Sequence, residues 1–153
     1  MNILFVCTGN TCRSPMAEWF FKDLCIKRKT LYKINIQSAG IGAIDGMPAS
    51  ENTLSILKKH GIDASSHRSQ KLTSSHIKWA DIVIAMTQSH LDDIKKISYS
   101  FDRKPEMKLL SEYSLNRISI SDPFGGEASL YEECFSEMKK YLYAFYDIIE
   151  KEL

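Results

Sequence analysis

Apolar positions along the chain switch between two spacings. Asn2-Ile3-Leu4-Phe5-Val6 carries an unbroken apolar run, the pattern of a parallel strand covered on both faces. Ala17, Phe20, Phe21, Leu24 and Cys25 then recur at the three- and four-residue intervals of one helical stripe. Between the two, Ser14 is placed to cap that helix and Pro15 to be its first residue. A second strand is expected at Lys33 to Ser38, and a helix that begins near Pro48 and stops at Gly61. Ile82 to Met86 reads as a third strand, with Thr87 capping a helix toward Ile97, and Met107 to Leu110 as a fourth. The final helix is expected to bury Leu130, Cys134, Met138, Tyr141, Leu142, Phe145 and Ile149. Strands and helices alternate without repeats or low-complexity linkers, which predicts an α/β fold in one domain spanning residues 1–153.

Composition agrees with that pattern and narrows it. The chain has 153 residues, 44% hydrophobic and 25% charged, enough for one compact core. A net charge of +1 gives no footing for attachment to nucleic acid or to a membrane surface. The apolar run at Ile3 to Val6 is too short for a secretion signal, and no stretch approaches the ~20 apolar residues of a membrane span. His60, His67, His76 and His90 are scattered without ligand spacing and there is no Cys-x2-Cys pair, so no metal or other cofactor is expected and the histidines are assigned to surface and loops. Trp19 and Trp79 lie off the clearest apolar stripes and should be partly buried.

Cys7-Thr8-Gly9-Asn10-Thr11-Cys12-Arg13-Ser14, between the first strand and its helix, carries the chemistry. A loop there lies at the carboxyl end of the sheet, facing unpaired N–H groups and the positive end of a helix dipole, and therefore suits an anion. A free thiol titrates at about 8.5, but beside a guanidinium at a helix N-terminus it commonly falls to roughly 3.5 to 7.5, so Cys7 is expected to be a thiolate and a nucleophile. Five residues separate Cys7 from Arg13, enough chain to curl around one tetrahedral anion, with Gly9 allowing close backbone approach. Arg13 supplies a planar fork for two phosphate oxygens. Phosphoryl transfer asks mainly for positioning and charge stabilisation, so the loop suggests cleavage of a phosphoester or phosphoramidate through a cysteinyl-phosphate without a metal.

The leaving group needs a proton. Asp122, in Ser121-Asp122-Pro123-Phe124-Gly125-Gly126, is the candidate donor. Alone, Asp-Pro-x-Gly is only a turn, but a cysteine loop of this kind requires a partner acid. Cys12 has two readings, a thiol close enough to Cys7 for a disulfide and a small thiol packed under the loop. Because Cys7 must stay reduced to act, a reducing cytoplasm fits best.

Over essentially its whole length the chain resembles the low-molecular-weight protein tyrosine phosphatases. The resemblance rests on Cys7 to Ser14 directly after the first strand, Ser38-Ala39-Gly40 after the second, Ala80 to Met86 as the third, and Asp122-Pro123 near the C-terminus. It implies a four-stranded parallel sheet in the order 2-1-3-4 with helices on both faces. It also implies Cys7 as nucleophile, Arg13 as phosphate clamp, Thr8 to Ser14 as the phosphate cradle, Ser14 as a hydroxyl that steadies the thiolate, and Asp122 as general acid and later base. Asn10 would hold the loop's shape by hydrogen bonding to Ser38. Phosphorylated proteins are the implied substrates and a monomer the expected state.

Two positions narrow the branch. Thr11 stands where tyrosine-specific members usually carry an aliphatic residue, and Phe124-Gly125-Gly126 follows the Asp-Pro pair where they tend to carry tyrosines. Both features resemble the bacterial protein-arginine phosphatases, with a tyrosine phosphatase as the alternative. A thioredoxin-coupled arsenate reductase would need two further cysteines after the third strand, and Met86 to Ile97 has none. A non-catalytic phosphate-binding redox sensor would have no use for Asp122.

Overall fold

The computed structural model describes residues 1–114 and 118–153. Among the described residues, eight main elements follow the expected alternation and a ninth, the short helix α3, was not expected: β1 (Asn2–Cys7), α1 (Arg13–Lys27), β2 (Asn35–Gly40), α2 (Glu51–Lys59), α3 (Ser74–Trp79), β3 (Ile82–Ala85), α4 (Gln88–Ile97), β4 (Glu106–Leu109) and α5 (Ala128–Ile149). Every strand pair is parallel, and the sheet order is β2-β1-β3-β4. The chain grows the sheet from β1 toward β2, then returns across β1 to add β3. That reversal opens a crevice beyond the carboxyl ends of β1 and β3, where ligands bind in open α/β sheets.

Successive side chains of a strand point to opposite faces, and the sheet divides the core accordingly. Ile3, Phe5, Ile82 and Ile84 join Phe21, Leu57, Met138, Leu142 and Phe145 in one cluster under α1, α2 and α5. Leu4, Val6, Val83 and Ala85 join Ile77, Leu91 and Ile94 under α3 and α4. Phe21 stacks on Phe145 at 5.1 Å between centroids and meets Phe5 edge-on at 5.8 Å, pinning α1 and α5 to the strand that leads into the cysteine loop.

Several boundaries differ from the sequence reading for local reasons. Helix α1 begins at Arg13 with Cys12 in the N-cap position, so Ser14 is a buried helical residue rather than the cap, and Pro15 occupies the third helical position, where a missing N–H still costs no bond. Strand β2 starts two residues late because Leu31–Lys33 forms a 3-10 turn, and it runs on to Gly40. Helix α2 starts after Ser50, whose hydroxyl accepts the Thr53 amide at 3.2 Å, three residues later than Pro48 suggested. Gly61 follows its end at φ +75. Thr87 caps α4 as expected, accepting from the His90 amide at 3.2 Å. On α5, Leu130 is 47% exposed, because the stripe facing the core runs through Tyr131, Cys134, Phe135, Met138, Tyr141, Leu142 and Phe145, one position on. Trp19 and Trp79 are partly buried.

Candidate active site

The loop after β1 is fixed from below by its own side chains. Asn10 has φ 56, a left-handed conformation that asparagine tolerates better than most residues. All its polar groups hold it there. Its Nδ2 donates to Ser14 Oγ and to Ser38 Oγ, both at 2.8 Å. Its Oδ1 accepts the Gln70 amide at 2.9 Å, and its carbonyl accepts from His67 Nε2 at 2.8 Å. Ser38 in turn donates to the buried Glu18 carboxylate at 2.5 Å, which Lys22 also contacts. Gly40 presses against the loop from the neighbouring strand: a Cβ there would meet the Thr8 carbonyl oxygen at 2.5 Å and the Asn10 nitrogen at 2.9 Å.

The Cys7 sulfur lies 2.9 Å from Ser14 Oγ and accepts the Asn10 amide at 3.3 Å. Its acidity differs from expectation. Burial pushes the Cys7 thiol upward, and the Ser14 hydroxyl and amide, the Arg13 guanidinium and the Asn10 amide pull it back only in part. Donors that favour a thiolate are therefore in place, but desolvation outweighs them, because the side chain has left water almost completely, at 2% exposure.

Arg13 is buried at 4% exposure, and three groups aim its fork. Nη1 donates to the Ile120 carbonyl at 3.0 Å, while Nη2 pairs with Asp122 Oδ2 at 3.1 Å and approaches Thr8 Oγ1 at 3.5 Å. Asp122, 114 residues on from Thr8 in the chain, is thereby brought against the loop with its side chain 46% exposed. Its Oδ1 accepts the Phe124 amide at 3.1 Å, the turn bond expected of an aspartate before Pro123.

These groups line a cleft of about 350 Å³. Cys7, Thr8, Gly9, Thr11, Cys12, Arg13 and Asp122 contribute to it, with Ile44, Met47 and Phe124 at its exposed rim. Phe124 is the one aromatic side chain among the described lining residues. Thr11 Oγ1 has a contact of 3.8 Å with Cys12 Sγ, and Thr11 and Asp122 both line the cleft. A Cβ at Gly9 would find nothing nearer than Thr11 Oγ1 at 3.7 Å, so no protein atom demands glycine there.

All four cysteines are free. Cys12 is packed, with Sγ 3.3 Å from Tyr131 Oη and 3.5 Å from Ser50 Oγ. Burial raises the Cys25 thiol to about 11 and the Cys134 thiol to about 12. Among the described residues no cluster of histidine, cysteine or carboxylate could hold a metal.

Sequence reasoning missed His67 and His90, which are buried at 5% exposure each rather than lying on the surface. It also missed the contacts made by Glu18, Gln70 and Tyr131, which act on the loop from separate parts of the chain with no local spacing to mark them; Gly40 was legible, as the end of the Ser38-Ala39-Gly40 segment.

Comparison with known proteins agrees with this geometry. Residues 2–153 match the family described as low molecular weight phosphotyrosine protein phosphatase. The chain is 41% identical to a protein-arginine-phosphatase of Geobacillus stearothermophilus over 142 residues, covering 90% of this chain and 88% of that one. It is 34% identical to the low molecular weight protein-tyrosine-phosphatase PtpB of Staphylococcus epidermidis, covering 99% and 96%. The solved structure of YwlE arginine phosphatase, a cysteine-to-serine mutant with a phosphorylated active-site serine, superposes with a TM-score of 0.88 at 33% identity, covering 99% of this chain and 97% of that one. The chain belongs to the low-molecular-weight protein tyrosine phosphatase family.

Proposed function

We infer that this phosphatase acts on phosphoarginine in proteins, with Cys7 as nucleophile, Arg13 as clamp, Asp122 as acid and base, and the segment Thr8 to Ser14 as the cradle. Cys7 gives up its thiol proton to solvent, and the resulting thiolate attacks phosphorus. As the P–N bond breaks, the leaving guanidine takes a proton from Asp122, and a cysteinyl-phosphate remains. Water then attacks that phosphorus, Asp122 receives its proton, and the S–P bond breaks to return sulfur and inorganic phosphate. The hydrogen bonds to Cys7 from Ser14 and the Asn10 amide favour sulfur as leaving group in the second step.

The observation that carries the substrate choice is the cleft wall. Thr11 offers a hydroxyl where an aliphatic side chain would pack on a phenol ring, and among the described lining residues Phe124 has no second aromatic to pair with. The half-exposed Asp122 side chain can then accept the N–H groups of the substrate's guanidino group as a carboxylate and, in its protonated form, give a proton to the leaving guanidine nitrogen. Of the two relatives above, one lies on each side of this choice, and the protein-arginine-phosphatase shares the higher identity, 41% against 34%.

Arsenate reduction by thiol relay finds no support. Helix α4 carries no cysteine, and Cys25 and Cys134 are buried thiols whose proton is held tightly. A monomer in the cytoplasm fits the need for a reduced Cys7, and no helix among the described residues is long and apolar enough to cross a membrane.

Kinetics on phosphoarginine and phosphotyrosine peptides, measured side by side, test the assignment. Wild type should show the higher kcat/KM for phosphoarginine, and Thr11→Ile should move the ratio toward phosphotyrosine by about tenfold or more, a change of roughly 1.4 kcal/mol in relative barrier. A wild type that favours phosphotyrosine, with a ratio unmoved by Thr11→Ile, would make it a tyrosine-directed member.

A further inference from the structure

The crevice between β1 and β3 receives one side chain that the reaction above leaves unused. β1 leads into Thr8, and β3 leads into Thr87, whose cap on α4 sets His90 in the first turn of that helix. His90 Nε2 lies 2.8 Å from Thr8 Oγ1, and Arg13 Nη2 approaches the same oxygen at 3.5 Å.

A guanidinium only donates, so Thr8 Oγ1 accepts from Arg13; of the two neutral tautomers of His90, the one protonated on Nδ1 accepts the single Thr8 O–H at Nε2. Nε2 is then unprotonated and the remaining ring proton sits on Nδ1. That atom is buried and has no hydrogen-bond partner among the described residues. A buried ring nitrogen left without a partner costs stability in either tautomer, so an imidazole kept there at 5% exposure calls for a compensating role. The ring is also held neutral. Burial first, then the Arg13 guanidinium, push His90 down to about 4, against Asp93 on its own helix and Asp122 across the cleft, which pull it upward.

We propose that His90 is a positioning residue for the anion clamp: as a neutral acceptor it takes the Thr8 proton, turns that oxygen's lone pairs toward Arg13, and so restrains the guanidinium fork. The proposal rests on reading Cys7 to Ser14 as a phosphate site, but it is independent of which phosphorylated side chain is the substrate.

Calorimetric titration of the full chain with inorganic phosphate, alongside thermal melts, tests it. His90→Leu should weaken phosphate binding by roughly three- to tenfold while the melting temperature stays at or above that of wild type, since the orphaned Nδ1 donor is removed with the ring. Thr8→Val should weaken binding by a similar factor, and the double variant by no more than the worse single one, because both break the same link. His90→Gln, which keeps an acceptor, should recover most of the loss. A histidine of merely structural value would instead lower the melting temperature and leave phosphate affinity unchanged. Wild-type affinity in His90→Leu, or losses that multiply in the double variant, would overturn the link. Should His90→Leu not fold, Thr8→Val decides, and a Thr8→Val chain that binds phosphate like wild type overturns it equally. If wild type itself takes up no phosphate, the reading of the loop falls with it, a result distinguishable from failure of the His90 link alone.

Discussion

At the scale of single residues, the site depends on a buried sulfur with opposing influences on its proton. Ser14 Oγ is the closest polar atom to Cys7, at 2.9 Å, and its hydrogen bond is the largest influence that lowers the thiol's proton affinity. Ser14→Ala should therefore move the pH midpoint of Cys7 alkylation by iodoacetamide upward, since less now opposes desolvation, and should lower turnover at neutral pH by roughly ten- to a hundredfold. An unmoved midpoint would mean that Ser14 does not steady the thiolate. Asp122 makes a different prediction. Asp122→Asn should cost on the order of 10²- to 10⁴-fold on phosphoarginine, whose guanidine leaves poorly without a proton, and less on para-nitrophenyl phosphate, whose phenolate leaves readily. Equal losses on both would make Asp122 a structural partner of Arg13, in keeping with their 3.1 Å ion pair. Cys7, Arg13 and Asp122 were legible in the sequence because their residue types and spacing belong to one chemistry. The acidity of Cys7 was not, because the helix dipole and Arg13 can be read from neighbours in sequence, whereas burial is set by residues brought from other elements.

At the scale of elements, two glycines in contact with the same loop should behave oppositely. Gly40 on β2 has backbone atoms at 2.5 and 2.9 Å from where a Cβ would sit, and backbone cannot swing aside. Gly40→Ala should cost about 1–3 kcal/mol of stability, measured by urea unfolding, and should lower activity by displacing the loop. Gly9 has open space, so Gly9→Ala should leave stability within about 0.5 kcal/mol while weakening phosphate binding, because the room there serves an approaching anion. A destabilised Gly9→Ala with normal phosphate affinity would contradict that division. Element type and order followed directly from hydrophobic spacing, but edges did not. Ser14 has the chemistry of a cap, yet α1 begins before it, because the same hydroxyl is engaged by Asn10 and Cys7 inside the loop. On α5 the stripe was read one position early at Leu130, since leucine is apolar whichever face it occupies.

At the scale of the whole molecule, the 2-1-3-4 sheet order brings Gly40 at the end of β2 and His90 after β3 against Thr8 in the loop after β1, and the chain then returns through Asp122 before α5 closes the core. Local patterns predicted the strands that deliver these groups. Hydrogen bonds at the site join Asn10 to Ser38, 28 residues apart, Thr8 to His90, 82 apart, and Arg13 to Ile120, 107 apart, and only the folded topology makes them neighbours. The account as a whole requires that Cys7 carry the phosphoryl group between two half-reactions. Rapid acid quench during turnover of a radiolabelled phosphoarginine peptide, followed by mapping of the labelled peptide, measures this directly. Label on Cys7 that appears before free phosphate and is absent from Cys7→Ala is the predicted result; steady turnover with no label on Cys7 at any quench time would contradict it.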